Sequence, residues 1–299
     1  MATAQDARPQ FGLDNHTGRL TDVLVGRPDH FVWRAMNATS AVTMAVKDRL
    51  GLRFDPKRAG EQWRGMLEAF AAAGTRCHEL PADEGLTHSV FARDSSLMTP
   101  WGPVVTAIQT EVRRRDYAVV SRFYAERGIP IWRWVTAGYF EGGDFVILRP
   151  GAAVLGYSGE RSTKAGAEQV AGWLLEQGWD ALTVPLPPQF VHIDTTVVMV
   201  ADGLALVCED AHEPPTLDWL RAHGIRWIDV PYREVIRLGA NVLALGDGRV
   251  LGMEGNDTIN GRLRAEGLEL IEIPYEQFTL GGGGVHCSTH ELRRESPAR

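Results

Sequence analysis

Amphipathic stretches that stop at a glycine recur five times along the chain. EAFAAAG ends at Gly74, RFYAERG at Gly128, WLLEQG at Gly178, WLRAHG at Gly224 and RLRAEG at Gly267. Glycine tolerates left-handed backbone just past a helix, so each stretch predicts a helix with a glycine stop. A short apolar run follows every stop: TRCHEL, IPIWRW, ALTVPL, IRWIDV and LELIEI. These read as strands, and four of them end at or beside a proline: Pro81, Pro187, Pro231 and Pro274. Longer stretches of two β-rich runs come next: SVFARDSSLMTPWGPVVT, YFEGGDFVILRPGAAVLGYS, FVHIDTTVVMVADGLALVC and ANVLALGDGRVLGME. Their Pro-Gly, Asp-Gly and Gly-Asp pairs are the turn residues that hairpins prefer.

The glycine stops lie 54, 50, 46 and 43 residues apart, a self-similarity that marks a repeat architecture. The order hairpin, helix, strand is complete four times. The fifth hairpin is predicted to be split, its first run GGGGVHCSTHEL near the C-terminus and its second run LTDVLVGRP near the N-terminus. Joining the two chain ends in one hairpin closes a ring and removes exposed sheet edges. The expected architecture is therefore α/β, a ring of five units closed by both termini. An open α+β sheet of loosely similar units is the alternative. One catalytic domain is expected over residues 1–299, with an ordered core from about residue 18 to 292 and short flexible tails.

Composition adds exclusions. With 44% hydrophobic and 23% charged residues the chain is ordinary globular material. No run reaches the ~18 apolar residues of a membrane span, and MATAQDARPQF lacks the basic-then-apolar order of a signal peptide. A soluble, cytoplasmic protein with no membrane partner is expected. A formal charge of −7 argues against a nucleic-acid partner. Cys77, Cys208 and Cys287 are too few and too far apart for a disulfide framework or a CxxC metal site. A homo-oligomer stays open.

The first run of each hairpin carries polar residues at one register: Asp94 in FARD, Glu141 and Asp144 in FEGGD, His192 and Asp194 in VHID, Asn241 in ANVLAL, Cys287 in VHC. Equivalent positions in a ring of repeats converge on its axis. Singly, each has a plain reading: a turn acid, a satisfied core histidine, a small buried thiol. In an extended run Asp194, two residues beyond His192, is expected on the same face. A thiol, a histidine and carboxylates without further cysteines point to nucleophilic catalysis, with zinc the less favoured alternative. The glycine run lets backbone at Gly283 and Gly284 approach a ligand and aims Cys287 into the cavity. Acids around a thiol raise its pKa, which makes sense if the substrate brings a cation. A guanidinium, with its planar fork of donors, matches paired carboxylates.

The set FARD, EGGD, HID and GGGxHC, in this order, resembles the guanidine-modifying enzymes of the pentein fold: arginine deiminases, dimethylarginine dimethylaminohydrolases and amidinotransferases. The likeness runs from VLVGRP to HCSTHEL and implies a five-bladed α/β propeller of pseudo-fivefold ββαβ-type repeats. It implies Cys287 as nucleophile, His192 as general acid/base, Glu141 as its orienting partner, and Asp94 and Asp194 as the guanidinium-binding carboxylates. Asp144 matches the last acid of EGGD, which assists the histidine in amidinotransferases. GERST resembles a deiminase motif whose arginine binds the substrate α-carboxylate, here Arg161, and VRRRD places a second such site at Arg113 or Arg114. Two positions depart from deiminases: His88 stands where they have Asn, and His286, beside the nucleophile, where they have Arg.

The chemistry implied is attack of the Cys287 thiolate on the guanidinium carbon, protonation of the leaving amine by His192, and hydrolysis of the amidino-thioether. No cofactor or metal is required. Asp194 leaves no apolar space for N-methyl groups, and Arg161 favours a substrate with an α-carboxylate. L-Arginine, giving citrulline and ammonia, is therefore expected ahead of methylarginines, agmatine and amidino transfer to an amine. A non-catalytic pentein that only binds a partner is the third reading.

Overall fold

The computed structural model describes residues 10–35 and 38–295. All five predicted glycine stops have left-handed backbone, with φ between 63° at Gly128 and 82° at Gly267. Each follows a helix and precedes a strand, as the sequence pattern requires.

The first unit contains β1 (Leu20–Gly26), α1 (Ala38–Arg49), α2 (Pro56–Ala72) and β2 (Arg76–Leu80). The second runs β3 (Ser96–Thr99), β4 (Gly102–Val105), α3 (Asp116–Glu126), β5 (Arg133–Trp134). The third runs β6 (Phe145–Arg149), β7 (Ala152–Tyr157), α4 (Lys164–Glu176), β8 (Asp180–Pro185). The fourth runs β9 (Val197–Ala201), β10 (Leu204–Val207), α5 (Pro214–Ala222), β11 (Arg226–Asp229). After a short α6 (Tyr232–Ile236) the fifth runs β12 (Leu243–Gly246), β13 (Arg249–Met253), α7 (Asp257–Ala265), β14 (Glu269–Ile273). A short α8 (Glu276–Thr279) leads to β15 (Thr289–Arg294).

Five three-stranded sheets result, each an antiparallel hairpin with a parallel third strand. The split unit is present: β15 pairs antiparallel with β1, from Leu20 opposite Arg294 to Val25 opposite Thr289, and β1 pairs parallel with β2. Between sheets, β1 lies beside β12, β12 beside β9, β9 beside β6, and β15 beside β3. The hairpin strands β4, β10 and β12 are buried throughout, which is why GPVV, LALV and LALG read as apolar runs. The helices cover them with one face only. In α2 that face is Ala59, Gln62, Trp63, Met66, Ala69 and Phe70. Its start is fixed by Asp55, which accepts from the Lys57 and Arg58 amides, with Pro56 at the first helical position.

The packed core extends further than residues 18 to 292. Phe11 and Leu13 are buried, the Gly12 amide donates to the Leu292 carbonyl at 3.0 Å, and the Leu13 amide donates to Thr99. Apolar side chains on the 10–17 segment find room over the sheet edge, so the segment packs as core instead of forming a tail. Residues 1–9 and 296–299, also expected as tails, lie outside the described residues. Among the described residues no helix is long and apolar enough to cross a membrane.

Candidate active site

The expected chemistry-bearing residues lie in tight turns, not in the hairpin strands themselves. Ala92–Ser95, Gly142–Asp144 and Ile193–Thr195 are single 3-10 turns, each within one residue of the first strand of its unit. Asn241 precedes β12 and Cys287 precedes β15 in the same way. This changes one expectation: His192 and Asp194 do not share a face. His192 is extended, just ahead of the turn, whereas Asp194 is inside it, so the two side chains diverge. His192 meets Glu141 and Asp94; Asp194 meets His286.

His192 belongs to a buried cluster of four acids and two arginines. Its Nε2 lies 2.9 Å from Glu141 Oε2 and its Nδ1 lies 3.6 Å from Asp94 Oδ1. Arg161 donates to both Glu141 oxygens, from Nε at 3.0 Å and Nη2 at 2.6 Å. Arg113, 1% exposed, donates to Asp94 from Nη1, to Asp116 from Nε at 2.9 Å, and to the Phe91 carbonyl from Nη2 at 2.8 Å. Burial opposes the charge on Glu141 and on His192, but in both the partners prevail. Glu141 is held well below the ordinary carboxylate range by Arg161 and His192. His192 is raised to about 9, burial being outweighed by Asp94, Asp144 and the hydrogen bond to Glu141. Asp144 has no arginine hydrogen-bonded to it among the described residues, and the nearby His192 does not offset its burial. Burial pushes it up to about 7, while its Oδ1 accepts the Ile193 amide at 2.9 Å. Gly143 is required beside this cluster, because a Cβ there would sit 2.5 Å from His192 Nδ1.

The half-buried Cys287 thiol faces the other side of the site. Asn241 Nδ2 donates to Sγ at 3.1 Å, and Asn241 Oδ1 accepts the His286 amide at 2.9 Å. Asp194 Oδ2 is 2.8 Å from His286 Nδ1, a contact that keeps Asp194 ionised against the effect of burial. Burial, then the Asp194 and Asp94 charges, push the thiol up to about 12. One oxygen each of Asp94 and Asp194, both Oδ1, is buried with no hydrogen-bond partner among the described residues. Buried charged oxygens without donors are costly, and they define the acceptors the site offers to a ligand.

The structure brings together Cys287, His192, Glu141, Asp144, Asp94, Asp194 and Arg161. It corrects three other expectations. Arg113 is sealed behind Asp94 and Asp116 and spends its donors on them, so it holds a site carboxylate in place of a substrate one. Arg114 is exposed and donates to the Gln109 carbonyl, outside the cluster. Gly283 and Gly284 are close-packed against the protein itself: added Cβ atoms would strike the Phe91 ring and the Asn241 amide respectively. The sequence reading also missed Arg93, whose amide donates to the Cys287 carbonyl at 3.1 Å and whose Nε donates to the His286 carbonyl at 3.3 Å. Only its place inside FARD marked it. Asp94, Glu141 and His192 could in principle share a metal ion, their ligand atoms lying within 4.8 Å of one another. Doing so would break the hydrogen bonds that already occupy both Glu141 oxygens, whereas N–H donors find the open Asp94 and Asp194 oxygens.

The sequence profile of the family described as "Arginine deiminase" matches residues 84–214 and 216–294. The chain is 27% identical over 277 residues to the uncharacterized protein YkgA of Bacillus subtilis, covering 93% of each. It is 30% identical over 280 residues to the arginine deiminase of Mycobacterium avium, covering 75% of this chain and 69% of that one. Among solved structures, the product-bound N-terminal domain of ArgZ, an arginine dihydrolase from cyanobacteria, superposes with a TM-score of 0.79 at 19% identity, covering 93% and 99%. DDAH from Pseudomonas aeruginosa, complexed with citrulline, gives 0.75 at 20% identity, covering 92% and 100%. Both place the fold among the penteins.

Proposed function

The chain belongs to the arginine deiminase family, and on that premise we propose that it hydrolyses free L-arginine to citrulline and ammonia through a covalent intermediate on Cys287. It is a guanidine-modifying enzyme, a hydrolase acting on C–N bonds of linear amidines. The choice of reaction and substrate rests on one observation: the two partnerless Oδ1 atoms, of Asp94 and Asp194, whose charges both act on the thiol. An unsubstituted guanidinium supplies N–H donors to both and places its carbon before Sγ. Its positive charge also offsets the two acids that hold the thiol protonated.

Binding the cation lowers the thiol pKa, the thiol proton passes to solvent, and the thiolate attacks the guanidinium carbon. His192, cationic at neutral pH, gives its proton to the departing nitrogen, which leaves as ammonia. Neutral His192 then takes a proton from water attacking the amidino-thioether, and collapse expels the thiolate and forms the ureido product. Arg161 keeps Nη1 free of hydrogen bonds among the described residues, and we assign it the substrate α-carboxylate. We also infer that the five units close into a ring within one domain. The pairing of β15 with β1 and the side-by-side placement of neighbouring sheets support this reading.

The test is a panel of arginine, methylarginines and agmatine, each with and without an acceptor amine, followed for ammonia, methylamines, ureido product and ornithine. Ammonia and citrulline from arginine are expected to form fastest. Methylamine release outpacing ammonia would install a methylarginine hydrolase instead. Ornithine formed only when an amine is added would install an amidinotransferase.

A further inference from the structure

The thiol stands among groups that oppose its ionisation. Asp94 faces it from the Ala92–Ser95 turn and Asp194 from the Ile193–Thr195 turn. The buried Tyr275 is close enough to feel its charge, and the adjacent His286 has its ring on Asp194. A lysine or arginine beside Sγ would ionise it, but such a cation would pair with Asp94 and Asp194 and occupy the acceptors a guanidinium needs. A neutral donor has no such conflict. The fifth unit provides one at the register where the other units provide acids and the histidine: Asn241, 1% exposed.

The orientation of its amide is fixed by the backbone. Oδ1 accepts the His286 amide at 2.9 Å and the Cys287 amide at 3.4 Å, so the opposite end, 3.1 Å from Sγ, must be the NH2 group. Gly284 is what lets the amide come so near, since a Cβ there would collide with Asn241 Oδ1. We propose that Asn241 is a catalytic residue whose side-chain N–H donates to Cys287 Sγ and stabilises the attacking thiolate. The proposal rests on the reading of Cys287 as nucleophile given above and extends it to the group that makes a thiolate attainable in an acidic site. It also gives the last glycine of the run a purpose at the reacting atom.

The test is the pH dependence of Cys287 alkylation by iodoacetamide in the wild type, Asn241→Asp and Asn241→Ala, with Cys77 and Cys208 replaced by Ser in all three. Asn241→Asp keeps the acceptor for the two backbone amides and removes the donor; Asn241→Ala removes the donor without adding charge. In both, the alkylation midpoint is expected to rise by about one unit or more, each unit being tenfold less thiolate at a given pH. In Asn241→Asp, kcat for arginine should fall about tenfold or more while KM changes little, a split that a purely structural role would not produce. A wild-type midpoint in either variant overturns the proposal. Alkylation needs no substrate, so a shifted midpoint in a protein that does not turn over arginine would sink the substrate reading and leave the role of Asn241 standing.

Discussion

His192 Nε2 and Glu141 Oε2 are 2.9 Å apart, and Arg161 Nη2 donates to that same oxygen at 2.6 Å. The arginine keeps the carboxylate ionised, and an ionised carboxylate requires a proton on Nε2. That fixes the tautomer: Nδ1, facing Asp94, is the nitrogen left to exchange protons with substrate in the proposed mechanism. Glu141 thus selects the nitrogen left open, while Asp94, Asp144 and Glu141 together overcome burial to hold the ring proton.

His192→Ala is expected to lower kcat by about 10²- to 10⁴-fold, the span of a positioned proton-transfer group. Because His192 is raised from its ordinary 6.5 to about 9, activity that needs its proton should decline as pH rises through about 9. Glu141→Gln should move that decline to lower pH with a smaller loss of rate. Stability follows the same sign. The folded state gains from the charged ring below its ordinary pKa and loses that gain as pH climbs through the raised one. Melting temperatures of wild type and His192→Ala across pH 6 to 10 should therefore converge at the alkaline end.

Cys287→Ser should abolish turnover, since an alkoxide is far scarcer than a thiolate near neutral pH. Far-UV circular dichroism and arginine binding by calorimetry should stay close to wild type. Near-normal citrulline production by this variant would rule out the covalent route.

Asp194→Ala should cost roughly 2–5 kcal/mol in kcat/KM for arginine, the range for truncating one side of a buried charge pair. Loss of the carboxylate also opens space, so relative activity on methylarginines should rise. Steady-state kinetics on both substrates checks this, and an unchanged preference would detach Asp194 from guanidine recognition.

Arg113 and Arg114 are adjacent in sequence and should behave oppositely. Arg113→Met leaves Asp94 and Asp116 buried without their cation, a loss of about 3–5 kcal/mol by analogy with broken buried pairs. Arg114→Ala, on an exposed side chain, should stay within about 0.5 kcal/mol. Denaturant unfolding of the two variants measures the contrast, and equal effects would contradict the placement of Arg113.

The repeat was legible in the sequence because its signals are local. A glycine must take left-handed φ wherever one of these helices stops, and Gly74, Gly128, Gly178, Gly224 and Gly267 all do. The split hairpin followed because the runs GGGGVHCSTHEL and LTDVLVGRP each lack a partner nearby in sequence, while the other four hairpins have both runs side by side. The register of Asp94, Glu141, His192 and Cys287 was legible for the same reason, as the turn before each hairpin recurs. What each side chain touches was not. A three-residue 3-10 turn has no periodicity that separates it from a strand end, so His192 and Asp194 were expected on one face. Whether an arginine points at a substrate or at Asp116 depends on a contact across units, and neither spacing nor composition carries that.

The pairing of Leu20 with Arg294 also sets the order in which the enzyme can assemble. Four of the hairpins join residues close in sequence and can form early, while β1 and β15 must meet across nearly the whole chain, at the largest loop-closure entropy. Cys287 lies just ahead of β15, and its carbonyl is bonded by the amide of Arg93 from another unit. A folding intermediate could therefore hold its carboxylates and histidine in native turns and still lack a positioned nucleophile. Activity regained during refolding would then report the slowest long-range step, after most of the secondary structure has returned.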